Sequence, residues 1–115
     1  MSGWTLFLDD ERFPAQGGDE LQVCRTSMEA ISLMRERGCP SLMLLDHDLG
    51  PQDDATSIFY PAFEELVLDR VITIPEQFEV HIHSMNSVGG PYLRGKIESL
   101  VGEMRRRAAA SAIPN

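Results

Sequence analysis

Residues 44–50 read LLDHDLG and residues 5–10 read TLFLDD. Each is a short apolar run that ends in a tight cluster of carboxylates. A run of four or five apolar residues bounded by polar and turn residues is the pattern of a buried strand in a parallel sheet. A carboxylate at the end of such a strand is costly to desolvate, and neighbouring carboxylates repel. A cation or a transferred proton is needed to offset that cost. In open parallel sheets the carboxyl ends of the strands line one edge, where ligands bind. The two acidic clusters are therefore expected to meet at one rim.

The flanking segments fit the same frame. Trp4–Leu8 is the first expected strand and Leu21–Arg25 the second; Pro14, Gly17 and Gly18 leave no room for a regular helix in the loop over residues 11–19. Thr26-Ser27-Met28-Glu29 has the form of a capping box, and Met28, Ile31 and Met34 follow at helical spacing until Gly38 and Pro40 stop the helix. Leu42–Leu45 is the third strand, leading into Asp46-His47-Asp48 and a turn at Gly50-Pro51. Asp53–Thr56 offers caps for the next helix, and Pro61 either follows a short turn or opens the main helix. Phe63, Leu66, Val67 and the stem of Arg70 supply its inward face. Phe78, Val80 and Ile82 alternate with Glu79, His81 and His83, as in a half-buried edge strand. Leu93, Ile97, Leu100, Val101 and Met104 form the stripe of a last amphipathic helix. Short strands alternating with helices imply a mostly parallel sheet with helices packed on it. The domain is expected over residues 1–107, with residues 108–115 a flexible tail.

A chain of 115 residues with 43% apolar content suits one domain with a modest core. Its longest aliphatic stretch, Leu42–Leu45, is far short of the roughly 20 residues that span a bilayer. Asp9, Asp10, Glu11, Asp19 and Glu20 rule out a signal peptide in the first twenty residues. Cys24 and Cys39 lie outside any paired-cysteine motif and read as free thiols, which points to the cytoplasm. The net charge of −8 is uneven, −10 over residues 1–69 and +2 over residues 70–115. Such an acidic surface argues against nucleic acid as the main partner. Arg105-Arg106-Arg107 complements the dipole at a helix C-terminus.

The rim residues carry the chemistry. Asp9 and Asp10 from the first strand, with Asp46 and Asp48 from the third, make an oxygen-rich pocket suited to Mg²⁺ or Mn²⁺. If the third strand persists that far, alternation puts Asp46 and Asp48 on one side and His47 on the other. His81 and His83 share one face of the fourth strand, a spacing that can hold zinc. His83, nearest the strand end, is favoured as an acid or base, and Ser84 beside it can donate to a phosphate oxygen. Asn86 or Ser87 can cap the last helix, while Gly89 and Gly90 allow close backbone approach to a ligand. A helix start presents free N–H groups and partial positive charge, a seat for phosphate, with Arg94 and Lys96 in the first turns to add charge. A metal pocket, an imidazole and an anion-binding helix start together point to phosphate-ester chemistry.

The runs LFLDDERFP, LLDHDLG and HIHSMNSVGG, in that order, resemble the cyclic-phosphate-processing receiver-like family, an offshoot of receiver domains found in bacteria and phages. The resemblance spans residues 5 to about 97. It implies a receiver-like (flavodoxin-like) α/β fold, a three-layer sandwich in reduced form, with about four mostly parallel strands and three helices. It also implies a metal-dependent phosphodiesterase acting on cyclic phosphates or cyclic nucleotides. Asp9 and Asp10 match the acidic pair, Asp46 the aspartate that receivers phosphorylate, and His47 and Asp48 the rest of the DHD motif. His83 and Ser84 match the family's HS, and Asn86 the asparagine after it. The expected catalytic residues are thus Asp46, His83 and Ser84; the metal ligands Asp9, Asp10, Asp46 and Asp48; and the ligand-binding residues His47, Asn86, Ser87, Gly89 and Arg94. Two departures stand out: Ser87 replaces a usual proline, and residues 51–60 lack the usual glycine-aromatic pattern. The expected absence of a fifth strand and its lysine argues against phosphorelay signalling through Asp46. The other alternative is an acidic, non-catalytic binding protein, such as a phage product that masks a host protein.

Overall fold

The structure is a computed structural model that describes residues 3–14 and 20–112. Four strands, β1 (Thr5–Leu8), β2 (Leu21–Cys24), β3 (Leu42–Leu45) and β4 (Glu79–Ile82), form one parallel sheet in the order β2-β1-β3-β4. The helices are α1 (Ser27–Arg37), α2 (Tyr60–Leu68) and α3 (Gly89–Ala112), and a π-helical turn over Ala55–Phe59 leads into α2. The expected element order and the parallel sheet are both present.

Register fixes what meets at the rim. Leu8 lies level with Cys24 on one side and Leu45 on the other, and Leu45 lies level with Ile82. The next residue of each strand continues the ladder: Asp46 N–H donates to Leu8 O at 2.8 Å and His83 N–H to Leu45 O at 2.9 Å. Asp9, Asp46 and His83 therefore leave three adjacent strands at the same height.

One sheet face, with Leu6, Leu8, Cys24, Met43, Leu45, Val80 and Ile82, shares a single apolar core with the helices. The helices touch one another as well as the sheet, which places them in one layer. On the opposite face Thr5, Leu42 and Leu44 are half-buried and Glu79 and His81 are exposed. Among the described residues the reduction thus reaches the layering, with helices on one face in place of both. The cause is the β1–β2 link, whose described residues contain no helix to cross the second face. Residues 15–19, including Gly17 and Gly18, lie outside the described residues.

Local chemistry accounts for the helix ends. Thr26 caps α1 through Glu29 N–H, and the Glu29 side chain returns to the Thr26 backbone N–H, the reciprocal capping box. The buried stripe of α1 is Ser27, Ala30, Ile31 and Met34. Met28 falls outside that stripe and is 64% exposed, contrary to the expectation that it faces the core. Asp54 caps the π-helical turn through Ser57 N–H, and Pro61 falls in the first turn of α2, which continues directly from that turn. Arg70 does not continue the inward face of α2. It lies past the helix end with φ 61° and is exposed.

Helix α3 follows its expected stripe, with Leu93, Ile97 and Leu100 buried, but continues to Ala112, past the boundary expected at residue 107. Residues 113–115 lie outside the described residues. No helix among the described residues is long and apolar enough to cross a membrane. Cys24 and Cys39 are free; burial pushes their thiols up to about 11 and about 12, where Glu29 adds to the effect at Cys24.

Candidate functional site

Asp9 ends β1 almost wholly buried, 1% exposed, yet it is richly satisfied. Its Oδ1 accepts N–H bonds from Glu11 and Arg12, both at 2.9 Å, and its Oδ2 accepts from His83 Nε2 at 3.0 Å. Burial pushes the Asp9 carboxyl up, but the two amides and His83 outweigh it and hold the group below the ordinary value of 3.8. An ionised carboxylate cannot donate, so His83 Nε2 carries the hydrogen and Nδ1 is the nitrogen left to exchange a proton. The imidazole stacks on Phe7, centroids 5.2 Å apart, which fixes its plane.

Asp46, one strand over, stands in a different balance. Burial and the negative charge of Asp9 push its carboxyl above 3.8, opposed by Arg12, His83 and the Asp48 backbone N–H. Asp9, Asp10 and Asp46 each offer an oxygen within 4.8 Å of the others. This all-oxygen donor set fits a hard divalent cation, and the upward push on Asp46 is the strain such a cation would relieve.

Asp48 is not brought to this cluster. Pairing ends once Asp46 has bonded to Leu8, so strand alternation does not carry through the DHD run. The chain turns at Gly50, φ 104°, and closes through a bridge between Asp48 and Asp54. The Asp48 side chain, 64% exposed, binds His47 Nδ1 at 3.0 Å. His47 is itself buried, its ring pressed against Gly89, where a Cβ would lie 2.7 Å from Nε2. His47 and Gly89 therefore fasten the loop after β3 to the start of α3.

That helix start is already occupied. Asn86 Oδ1 accepts from Val88 N–H at 3.1 Å and Gly89 N–H at 2.7 Å, and Gly90 N–H donates to Asn86 O at 3.1 Å. The amides expected to cradle phosphate are thus held by the chain, and Asn86 serves as the cap. Ser84 Oγ accepts from Asn86 N–H at 3.0 Å, leaving the hydroxyl hydrogen free to donate. Ser87 is exposed in the turn before α3. Arg94 lies away from the rim, bonded to Val80 O at 3.3 Å and 4.0 Å from Glu98. Lys96 stands over the Tyr60 and Tyr92 rings, and His81 is exposed beside Glu79.

Two arginines unassigned by sequence reasoning organise the rim. Arg12 NH1 donates to His83 O at 2.8 Å and lies 3.8 Å from Asp9 Oδ2, tying the exits of β1 and β4. Arg25 NH1 reaches Asp9 O at 3.0 Å and also Arg12 O, and its guanidinium covers the Phe13 ring at 4.5 Å. Arg12 was marked by its place in the DDER run, three residues after Asp9. Arg25 had no local signal beyond following β2.

Residues 4–99 match a family profile described as Cyclic-phosphate processing Receiver domain. The chain belongs to this family. The match takes in all four strands, α1, α2 and the first half of α3. No curated protein and no solved structure matches the chain. The matched span contains Asp9, Asp10, Asp46 and His83.

Proposed function

We propose that this domain is a metal-dependent phosphodiesterase acting on a cyclic phosphate ester. The observation that supports this most is the Asp9–Asp10–Asp46 cluster with His83 hydrogen-bonded to its most buried member. Asp9, Asp10 and Asp46 would hold Mg²⁺ or Mn²⁺, which when bound offsets phosphoryl charge and lowers the pKa of water. The chain supplies the remaining parts. His83 is oriented by Asp9 through Nε2 and by Phe7 through stacking, so Nδ1 is the atom that takes a proton or returns it to the leaving oxygen. Ser84 donates its free hydroxyl hydrogen to a nonbridging oxygen. Arg12, half-exposed and anchored by one nitrogen to His83 O, brings positive charge to the same edge. Asn86 holds the turn that presents Ser84 and takes no part in binding the anion.

The test is turnover of 2′,3′-cyclic nucleotides, 3′,5′-cyclic nucleotides and cyclic oligonucleotides with Mn²⁺ or Mg²⁺. Wild type is expected to open a cyclic phosphate only with metal, and Asp46→Asn and His83→Ala to lose at least a hundredfold in rate. A wild type that binds Mn²⁺ yet turns over no member of the panel would overturn the proposal.

A further inference from the structure

Two members of the acidic cluster are held by their own bonds, and the third is not. Asp9 accepts from two amides and from His83. Asp46 leaves β3 within the ladder, its N–H on Leu8 O. Asp10 lies past the end of β1, and among the described residues its carboxylate accepts no hydrogen bond and joins no ion pair. It is half-buried and bordered by the turn after β3, where a Cβ on Gly50 would lie 3.7 Å from Oδ2. Its oxygen nevertheless lies within 4.8 Å of those of Asp9 and Asp46. With no bond at the carboxylate itself, the backbone on either side sets that placement.

Arg25 holds that backbone. Its NH1 nitrogen carries two hydrogens and donates to Asp9 O, at 3.0 Å, and to Arg12 O. A nitrogen bonded to both oxygens keeps them within about 6 Å of each other, so residues 9–12 form a closed turn that includes Asp10. Asp9 Oδ1 closes the same turn from within, accepting from Glu11 and Arg12 N–H. Arg25 is itself fixed at both ends. Its backbone N–H donates to Glu29 Oε1 at 2.6 Å, the oxygen that also serves the capping box of α1. Its guanidinium lies over the Phe13 ring, 4.5 Å from the centroid. The capped start of α1 is thus the base from which the turn is held. By charge alone, a guanidinium beside a cation site weakens cation binding. Its effect through geometry has the opposite sign, so the two are separable by experiment.

We infer that Arg25 is a positioning residue for the cation site: by clamping the carbonyls of Asp9 and Arg12, it holds Asp10 where its carboxylate reaches the ion. The inference rests on the metal-binding part of the function proposed above. Titration of the full chain with Mn²⁺, followed by the electron paramagnetic resonance of the free ion, tests it. Arg25→Ala should raise the Mn²⁺ Kd about 10–100-fold, the usual cost of losing a group that orients a ligand. Arg25→Lys, which keeps the charge and a nitrogen able to bond both carbonyls, should recover most of that affinity. In an Asp10→Asn background, Arg25→Ala should add less than about twofold, because the effect runs through Asp10. In EDTA, the amides of Glu11 and Arg12 should exchange faster in Arg25→Ala while those of α3 keep their rates. An alanine variant that loses its circular dichroism spectrum moves the comparison to Arg25→Gln, judged by the same outcomes. Mn²⁺ bound by Arg25→Ala as tightly as by wild type or more tightly, or an equal loss with and without Asp10, would overturn the inference. A wild type that takes up no Mn²⁺ overturns it together with the metal dependence proposed above. Uptake that depends on Arg25, without turnover of any cyclic phosphate, supports the clamp and removes only the phosphodiesterase reading.

Discussion

The substitution Asp46→Asn should stabilise the metal-free protein and abolish the stabilisation that metal brings. Asp46 shares an acidic cluster whose oxygens lie within 4.8 Å of one another. Two unit charges at 4.8 Å repel by about 3.5 kcal/mol at an effective dielectric near 20, and by about 0.9 kcal/mol in bulk water. Asp46 faces Asp9 and Asp10 but loses its attraction to Arg12 and His83, so a net gain of about 1–2 kcal/mol follows, or about 5 °C in Tm. The asparagine amide of the variant keeps a carbonyl oxygen to accept the Asp48 N–H. The sign follows from the raised folded-state pKa: ionising Asp46 costs stability, and the cost grows as pH rises from 3.8 through the folded value. The variant's advantage should thus be full at neutral pH and vanish below 3.8, where Asp46 is protonated folded or unfolded. Thermal melts in EDTA and in Mn²⁺ give the second arm. Metal at a hundred times its Kd adds about 2.7 kcal/mol to wild type and much less to the variant, reversing their order. A variant less stable than wild type in EDTA at neutral pH, or equal Mn²⁺ shifts for both proteins, would refute the electrostatic reasoning.

Asp9→Ala should behave oppositely, losing about 2–4 kcal/mol in urea unfolding because two amides and His83 lose their acceptor in a buried place. Since the Asp9 pKa is lowered on folding, its contribution is full above 3.8 and fades as pH falls through the folded value, so wild type and variant should converge in acid. Gly89→Ala puts a Cβ 2.7 Å from His47 Nε2 and should cost about 1–3 kcal/mol, with a displaced His47 signal in the NMR spectrum. Gln52→Gly relieves a left-handed residue, φ 61°, in the exposed turn after Gly50 and should raise stability by about 0.5–1 kcal/mol in thermal melts.

The strands and the acidic rim were legible because they depend on patterns that register alone converts into proximity. An apolar run followed by an acid closes both β1 (Leu6–Leu8) and β3 (Leu42–Leu45), and parallel pairing in step brings Asp9 and Asp46 together. The alternation Phe78/Val80/Ile82 likewise marked β4 as half-buried, and His83 followed from it. Legibility failed where the backbone leaves the ladder. Asp48 was assigned by extending strand geometry beyond the last ladder bond, whereas the turn at Gly50 and the Asp48–Asp54 bridge set its direction. Arg94 was placed at the rim by its nearness in sequence to the start of α3, but helical rotation carries it to β4 and Val80 O. The helix start read as an open anion seat because a cap and a seat use the same N–H groups, and sequence cannot say which partner holds them. Arg25 acts through long-range bonds to backbone carbonyls, which leave no trace in residue spacing.

The three carboxylates of the cluster are unequal. Asp9 is the most buried, but its charge is answered inside the protein by two amides, an imidazole and a guanidinium, so it stays ionised at no great cost. Asp46 receives one backbone N–H and the field of Asp9, and the balance pushes its proton affinity up. Arg12 and His83 answer the charge of Asp46 only in part, next to a carboxylate whose ionised form the fold favours. The fold thus favours the charge on Asp9, and a cation bound as proposed would act chiefly on Asp46. That inequality explains why removing Asp9 should damage the protein while neutralising Asp46 should strengthen it. Under the proposed function it would also make Asp46 the residue that couples cation binding to stability.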